Sequence, residues 1–165
     1  MTDTQQVSDR DNADTAWALM KKIGFCMLST RVGDEIRSRP MAAHVVPGEH
    51  AVYFLTDVES QKDSEIDQTP NVSLAFADAS AQKYVAATGR AVVSNDRAKI
   101  KELWSTPAKA WWDNADDPSI RVIKVSLHDA QYWDSPGMIV STIKMLAAVA
   151  TSTRPDIGHS AKVVL

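Results

Sequence analysis

The chain has 165 residues, 44% of them apolar and 24% charged, with a formal net charge of −3. That is the profile of one soluble globular domain, long enough to bury a core without disulfides. The acidic balance and the lack of a basic run argue against a nucleic-acid partner.

A single cysteine, Cys26, leaves no disulfide framework or cysteine metal set and fits a reducing compartment. The start, MTDTQQVSDRDNAD, is polar and acidic, unlike a secretion signal, and no apolar run nears the ~20 residues of a membrane helix. The expected location is cytoplasmic, with no membrane contact.

Residues 1–8 read as loosely held. From Ser8 to Lys22, apolar residues fall at Ala13, Ala16, Trp17 and Met20, which gives a helix one apolar stripe. Asp9, Asp11 and Asp14 suit its N-terminal part, Lys21 and Lys22 its last turn, and Gly24 its end. Phe25 to Thr30 then reads as a buried strand, followed by a turn at Gly33-Asp34.

The most informative stretch is IRSRPMAAHVVPGEHAVYFLTDVESQK, Ile36 to Lys62. Alternation makes Ile36–Val46 a strand with Arg37, Arg39, Met41, Ala43 and Val45 on one face. Pro47-Gly48 turns the chain, and Ala51–Thr56 returns as a second apolar strand. Ser60 can cap a helix over about Gln61–Gln68. A hairpin feeding a helix N-terminus with Lys62 inside it predicts an anion pocket, and Arg39 can reach it as a bidentate clamp. The other reading makes Arg37, Arg39 and Lys62 ordinary solvated charges.

Pro70 stops that helix, and Asn71–Ala77 is the next strand. After a turn at Asp78–Ala81, Gln82–Ser94 is a long strand in which Gly89 marks a bulge or a close backbone approach. Asn95-Asp96 caps a helix through Trp104. Thr106-Pro107 opens another, which carries Trp111 and Trp112 and breaks at Asp113-Asn114. Ile120–Trp133 is the last long strand. Met138–Val149 reads as a short apolar helix, and residues 151–165 as a flexible tail beyond a single domain over 1–150. About six strands in hairpin-like succession, with helices inserted between them and no βαβ alternation, indicate a mainly β protein, an antiparallel β-barrel with peripheral helices.

No phosphate loop, dinucleotide fingerprint or nucleophile elbow is present, and catalytic residues remain unknown at this level. His44, His50, His128 and His159 are too scattered for a metal set. Cys26, between Phe25 and Met27, reads as an inert core thiol. Redox chemistry would therefore depend on a cofactor. Adjacent helical residues point about 100° apart, so one of Trp111 and Trp112 must leave the core direction, toward an interface or a planar ligand.

The order RSRPM, VYFLT with SQK, NVSLAFAD and TGRAVV resembles the pyridoxamine 5'-phosphate oxidase superfamily of FMN-binding split barrels. KIKELWSTPAKAWW and QYWDSP resemble its general stress protein 26 group. The resemblance covers residues 13–140. It implies an antiparallel six-stranded split barrel and FMN as cofactor, with FAD as the alternative. The implied phosphate-side residues are Arg39, Ser60, Gln61 and Lys62. Those implied around the ring are Pro40, Met41, Leu55 and Thr56, with Trp112 of the partner subunit, and after it Trp111, as an aromatic wall. It also implies a homodimer with flavin at the interface; electrons would enter from a reduced nicotinamide or another reductant, and the sequence shows no dedicated site for either.

Gln61 stands where true pyridoxamine phosphate oxidases carry an Arg, His44 where they carry a Lys, and their substrate-gripping C-terminal segment has no counterpart here. The expected function is a stress-related FMN-dependent oxidoreductase other than a B6 oxidase. The alternatives are a non-catalytic flavin carrier or sensor, and a flavin-free dimeric interaction module.

Overall fold

The computed structural model describes the backbone of residues 3–58, 61–136, 145 and 159–165, and their side chains outside 3–8 and 61–63. Helix α1 (Asp3–Ile23) buries Ala16, Trp17, Leu19 and Met20 and starts earlier than the apolar stripe alone requires. It stops where Gly24, at φ 72°, donates its N–H to the Met20 carbonyl.

Eight strands follow among the described residues, with every ladder antiparallel. They are β1 (Phe25–Val32), β2 (Glu35–Ala42), β3 (His44–Val46), β4 (Ala51–Asp57), β5 (Asn71–Asp78), β6 (Lys83–Ser94), β7 (Ile120–Asp134) and β8 (His159–Val164). Their order is β2-β1-β5-β6-β7-β4-β3, and β8 is added on β7. The 15-residue β7 accepts β4 along its first half and β8 along its second.

The two ends of this path, β2 and β3, are neighbours in the chain. They lie on either side of Ala43, whose N–H donates to the Gly24 carbonyl at 2.8 Å. The single strand expected over Ile36–Val46 is therefore broken at Ala43. The sheet curls on itself without closing, so the fold is a split barrel, with eight strands instead of the six expected.

The inward face carries the main core, including Leu28, Phe54, Leu74, Phe76, Val85 and Ile123, closed by α1 and by Ile66 of α2 (Gln61–Gln68). A second cluster packs Tyr53 and Val122 under Ile100 and Leu103 of α3 (Arg97–Leu103), whose N-cap Asp96 accepts the Lys99 N–H. Gly89 has both features predicted for it. The β6–β7 register shifts there, and a Cβ would lie 2.5 Å from the Ser126 carbonyl oxygen.

Two expectations need correction. The helix carrying Trp111 and Trp112 is only a 3-10 turn over Ala108–Ala110, with both Trp N–H groups donating to the Ala108 carbonyl. Adjacent indoles followed by Asp113-Asn114 give the turn nothing to propagate into. The loose tail contains β8, which alternates onto β7 and buries Val163. The apolar helix expected over Met138–Val149 falls largely outside the described residues. No helix among the described residues is long and apolar enough to cross a membrane.

Candidate functional site: the cleft at the split

The break at Ala43 separates the end of β2 from β4 and leaves a cleft of about 490 Å3. Pro40, Met41, Ala42 and His44 form one wall, and Leu55, Thr56 and Asp57 of β4 the other. Pro107, Ala108, Trp111 and Trp112 cover it from the loop after α3, and Phe25 lies at its rim. The lining is mostly apolar and aromatic with a few polar groups, and its size is within the range of small-molecule sites. Among the described residues, no group of three or more His, Cys, Asp or Glu is placed to hold a metal ion.

Arg39 lies one residue before this wall on the inward face, opposite Leu28 of β1. Its guanidinium is held end-on by Glu65 of α2, with Nη1 donating to Oε2 at 2.6 Å and Nη2 to Oε1 at 3.0 Å. Nη1 also donates to the Thr30 hydroxyl at 3.2 Å, and that hydroxyl donates to Glu65 Oε2 at 2.5 Å. Arg37 contacts the same carboxylate at 3.5 Å.

Glu65 is 6% exposed, and the Arg39 guanidinium, ahead of the Thr30 hydroxyl, holds its carboxyl below the ordinary range in spite of burial. A guanidinium has five N–H donors. Glu65 and Thr30 take three, so the edge made by Nε and the second Nη2 proton has no partner among the described residues. It remains able to grip an anion bidentately.

The structure thus gathers Pro40, Met41, Leu55 and Thr56 around one cleft, with Arg39 adjacent but tied to α2, and it adds Trp112 of the same chain where a partner's indole was expected. Gln61 and Lys62 form the first turn of α2, and their side chains lie outside the described residues, as does Ser60 altogether.

Sequence reasoning missed Glu65, Thr30 and the cleft-lining His44. The contact between Glu65 and Arg39 spans 26 positions and carries no local signal. His44 had a signal, a titratable residue at the end of an apolar strand, but its role depends on the break at Ala43. Burial holds the His44 imidazole below its usual pKa, so it is neutral at neutral pH. Cys26 is buried on the core side, with its thiol pushed up to about 12, as an inert thiol should be.

Beyond the rim, the outward face of the sheet is weakly polar along two rows. Register aligns Pro40, Met27, Ala75 and Ala86 in one row. Ala42 faces Phe25 in the next row, and Ala77, Tyr84 and Trp133 align with one another there. Phe25 and Met27 are 59% and 39% exposed. Pro40, Ala42 and Phe25 belong both to this face and to the cleft.

The fold has counterparts. The family model for pyridoxamine 5'-phosphate oxidase like proteins matches residues 11–156. General stress protein 26 of Bacillus subtilis is 28% identical over 91 residues, 51% of this chain, and the chain spans only 62% of that relative's length. Protein bli-3 of Neurospora crassa is 25% identical over 87% of this chain and 79% of its own. Among solved structures, a general stress protein 26 from Jannaschia superposes with a TM-score of 0.78 at 22% identity, covering 95% of this chain and 99% of that one. A general stress FMN/FAD binding protein from Xanthomonas citri gives 0.67 at 20% identity, over 76% and 89%. With a match over most of its length, the chain belongs to the pyridoxamine 5'-phosphate oxidase like family.

Proposed function

We propose that this protein binds a flavin, FMN in preference to FAD, in the cleft at the split and works as an oxidoreductase through it. The observation that carries the reading is the juxtaposition of a mostly apolar, indole-walled cleft with a guanidinium edge, one residue away, that has no partner among the described residues. Family membership supports it, as does the flavin binding named for the Xanthomonas citri relative.

The residues fit the two ends of such a cofactor. Arg39, the Lys62 side chain and the N–H groups opening α2, with Ser60 and Gln61, would hold the phosphate. Pro40, Met41, Leu55 and Thr56 would flank the ring, and Trp112 would wall it. Because Glu65 already balances Arg39, net positive charge at the phosphate comes from Lys62 and the helix end, while Arg39 supplies directed donors. When bound, the ring supplies the electron chemistry; the chain binds it, shields it from water and leaves an open side for a reductant such as a reduced nicotinamide.

The second copy of the chain is the partner this reading requires. This outward apolar face shares Pro40, Ala42 and Phe25 with the cleft, so pairing through that face would close the cleft's rim. Purified protein should be yellow, release FMN on denaturation as identified by mass spectrometry, and run as a dimer. Colourless protein that takes up no added FMN would end the reading. Met27→Lys, on the outward face, should give a folded monomer; a variant still dimeric would place the interface elsewhere. A carrier without turnover would share the colour, but reduced nicotinamide would not bleach it.

A further inference from the structure

We propose that Glu65 and Thr30 are positioning residues: they hold the Arg39 guanidinium in one orientation, so that the site grips phosphate joined to a seated flavin in preference to free phosphate. The proposal rests on the split being the flavin site. Three elements meet at this point, β1 through Thr30, β2 through Arg39 and α2 through Glu65. Every pair in the triangle is joined: Arg39 to Glu65 at 2.6 and 3.0 Å, Arg39 to Thr30 at 3.2 Å, and Thr30 to Glu65 at 2.5 Å. The guanidinium cannot turn without breaking several of these bonds at once. Arg37, two residues earlier on the same side of β2, makes a contrast. It reaches Glu65 through one nitrogen at 3.5 Å and Glu35 at 3.8 Å, and nothing fixes its plane.

Holding α2 on the barrel does not by itself call for this arrangement. Ile66, the next residue, is already buried in the core, and an apolar side chain in place of a buried ion pair often stabilises as well or better. What the pair adds is direction, beside the cleft wall at Pro40 and three positions along α2 from Lys62. The Glu65 charge opposes that of Arg39, so it weakens the attraction for any phosphate alike, free or joined to a flavin. Fixed direction acts differently on the two. A free phosphate turns and shifts to suit whatever donor it meets. The phosphate of a seated flavin has its place set by the ring, and it gains from a guanidinium that is ordered beforehand. The ratio of the two affinities therefore cancels the charge effect and leaves the positioning.

The test is fluorescence titration of flavin-freed wild type, Glu65→Gln and Thr30→Val with FMN and with riboflavin, and of FMN against inorganic phosphate as competitor. The ratio of the phosphate inhibition constant to the FMN Kd should fall at least about threefold in each variant, the scale of ordering one long side chain, while riboflavin affinity stays within about twofold. Thr30→Val keeps every charge, so its fall has no electrostatic source, and it carries the test if Glu65→Gln does not fold. A smaller fall in either folded variant, or riboflavin lost in step with FMN, overturns the proposal. Phosphate that competes in none of the folded proteins also overturns it, since a guanidinium released from Glu65 should hold that anion. Wild type that binds FMN with a ratio the variants leave unmoved keeps the flavin reading and removes the role of Glu65 and Thr30. Wild type that binds neither FMN nor riboflavin refutes the flavin reading itself.

Discussion

Replacing Glu65 by Gln probes the contact that ties α2 to the barrel. The carboxylate accepts from Thr30 at 2.5 Å and from Arg39 at 2.6 and 3.0 Å, with Arg37 at 3.5 Å. An amide keeps one acceptor oxygen but turns an NH2 group toward donors, so at least one charge-assisted bond is lost. Breaking one side of a fully buried pair costs about 3–5 kcal/mol. Here the Arg39 side chain is 22% exposed and that of Arg37 45%, so solvent screens part of the loss. We expect about 2–3 kcal/mol, which for a domain of this size lowers Tm by about 4–12 °C.

The pH dependence gives a sharper check. The folded carboxyl lies below its unfolded value of 4.5, so its stabilisation is full above that pH and is lost as pH falls through the lower folded pKa. Urea unfolding of both proteins should show the full gap at about pH 6 and a shrinking one as the pH is taken below 4.5, with unchanged m values. A gap under about 0.5 kcal/mol at neutral pH, or one that does not shrink on acidification, would refute the assignment of Glu65 as a charged clamp.

Gly89→Ala should cost about 2–3 kcal/mol in thermal unfolding, because its Cβ would meet the Ser126 carbonyl at 2.5 Å and Val125 Cγ1 at 2.8 Å. Gly48→Ala, where nothing lies within 4 Å, serves as the control and should be nearly silent. Lys62→Ala should weaken FMN by about 2–4 kcal/mol in equilibrium dialysis while riboflavin, which lacks the phosphate, binds as before. Equal losses for both ligands would move Lys62 away from the phosphate. Cys26 should resist an aromatic disulfide reagent at about pH 8 until the protein unfolds, since its thiol ionises near 12; rapid labelling of folded protein would contradict its burial.

Much of the fold was legible because local chemistry and tertiary structure agree. The alternation in Asn71–Asp78 and Ile120–Asp134, the breaker Pro70, the cap Asp96 and the crowded Gly89 all act within a few residues of where they appear. The cleft walls at Met41 and at Leu55-Thr56 were legible only through resemblance, since nothing in RSRPM or VYFLT marks a wall. What escaped was set at long range. Ala43 fits the alternation of its strand, and only its bond to Gly24 ends the ladder. β8 has a weak pattern, and its pairing becomes visible once β7 proves long enough to hold two partners along one edge. Arg39 read as a free phosphate clamp because its partner lies on another element.

That last difference changes how the site must work. An unpaired strand arginine would attract any anion, and its position would be set by whatever arrived. Here three of its donors are fixed by Glu65 and Thr30, both almost wholly buried, so the side chain is ordered before any ligand arrives. In the proposed flavin site, the remaining edge would bind without the entropy cost of ordering a long side chain. Glu65 also joins this edge to the cleft. It sits on α2, whose first turn carries Lys62, and it grips Arg39, the neighbour of Pro40 and Met41 in the cleft wall. Any shift of α2 would therefore be passed to β2 beside the cleft, through a contact that the sequence shows only as three unrelated letters.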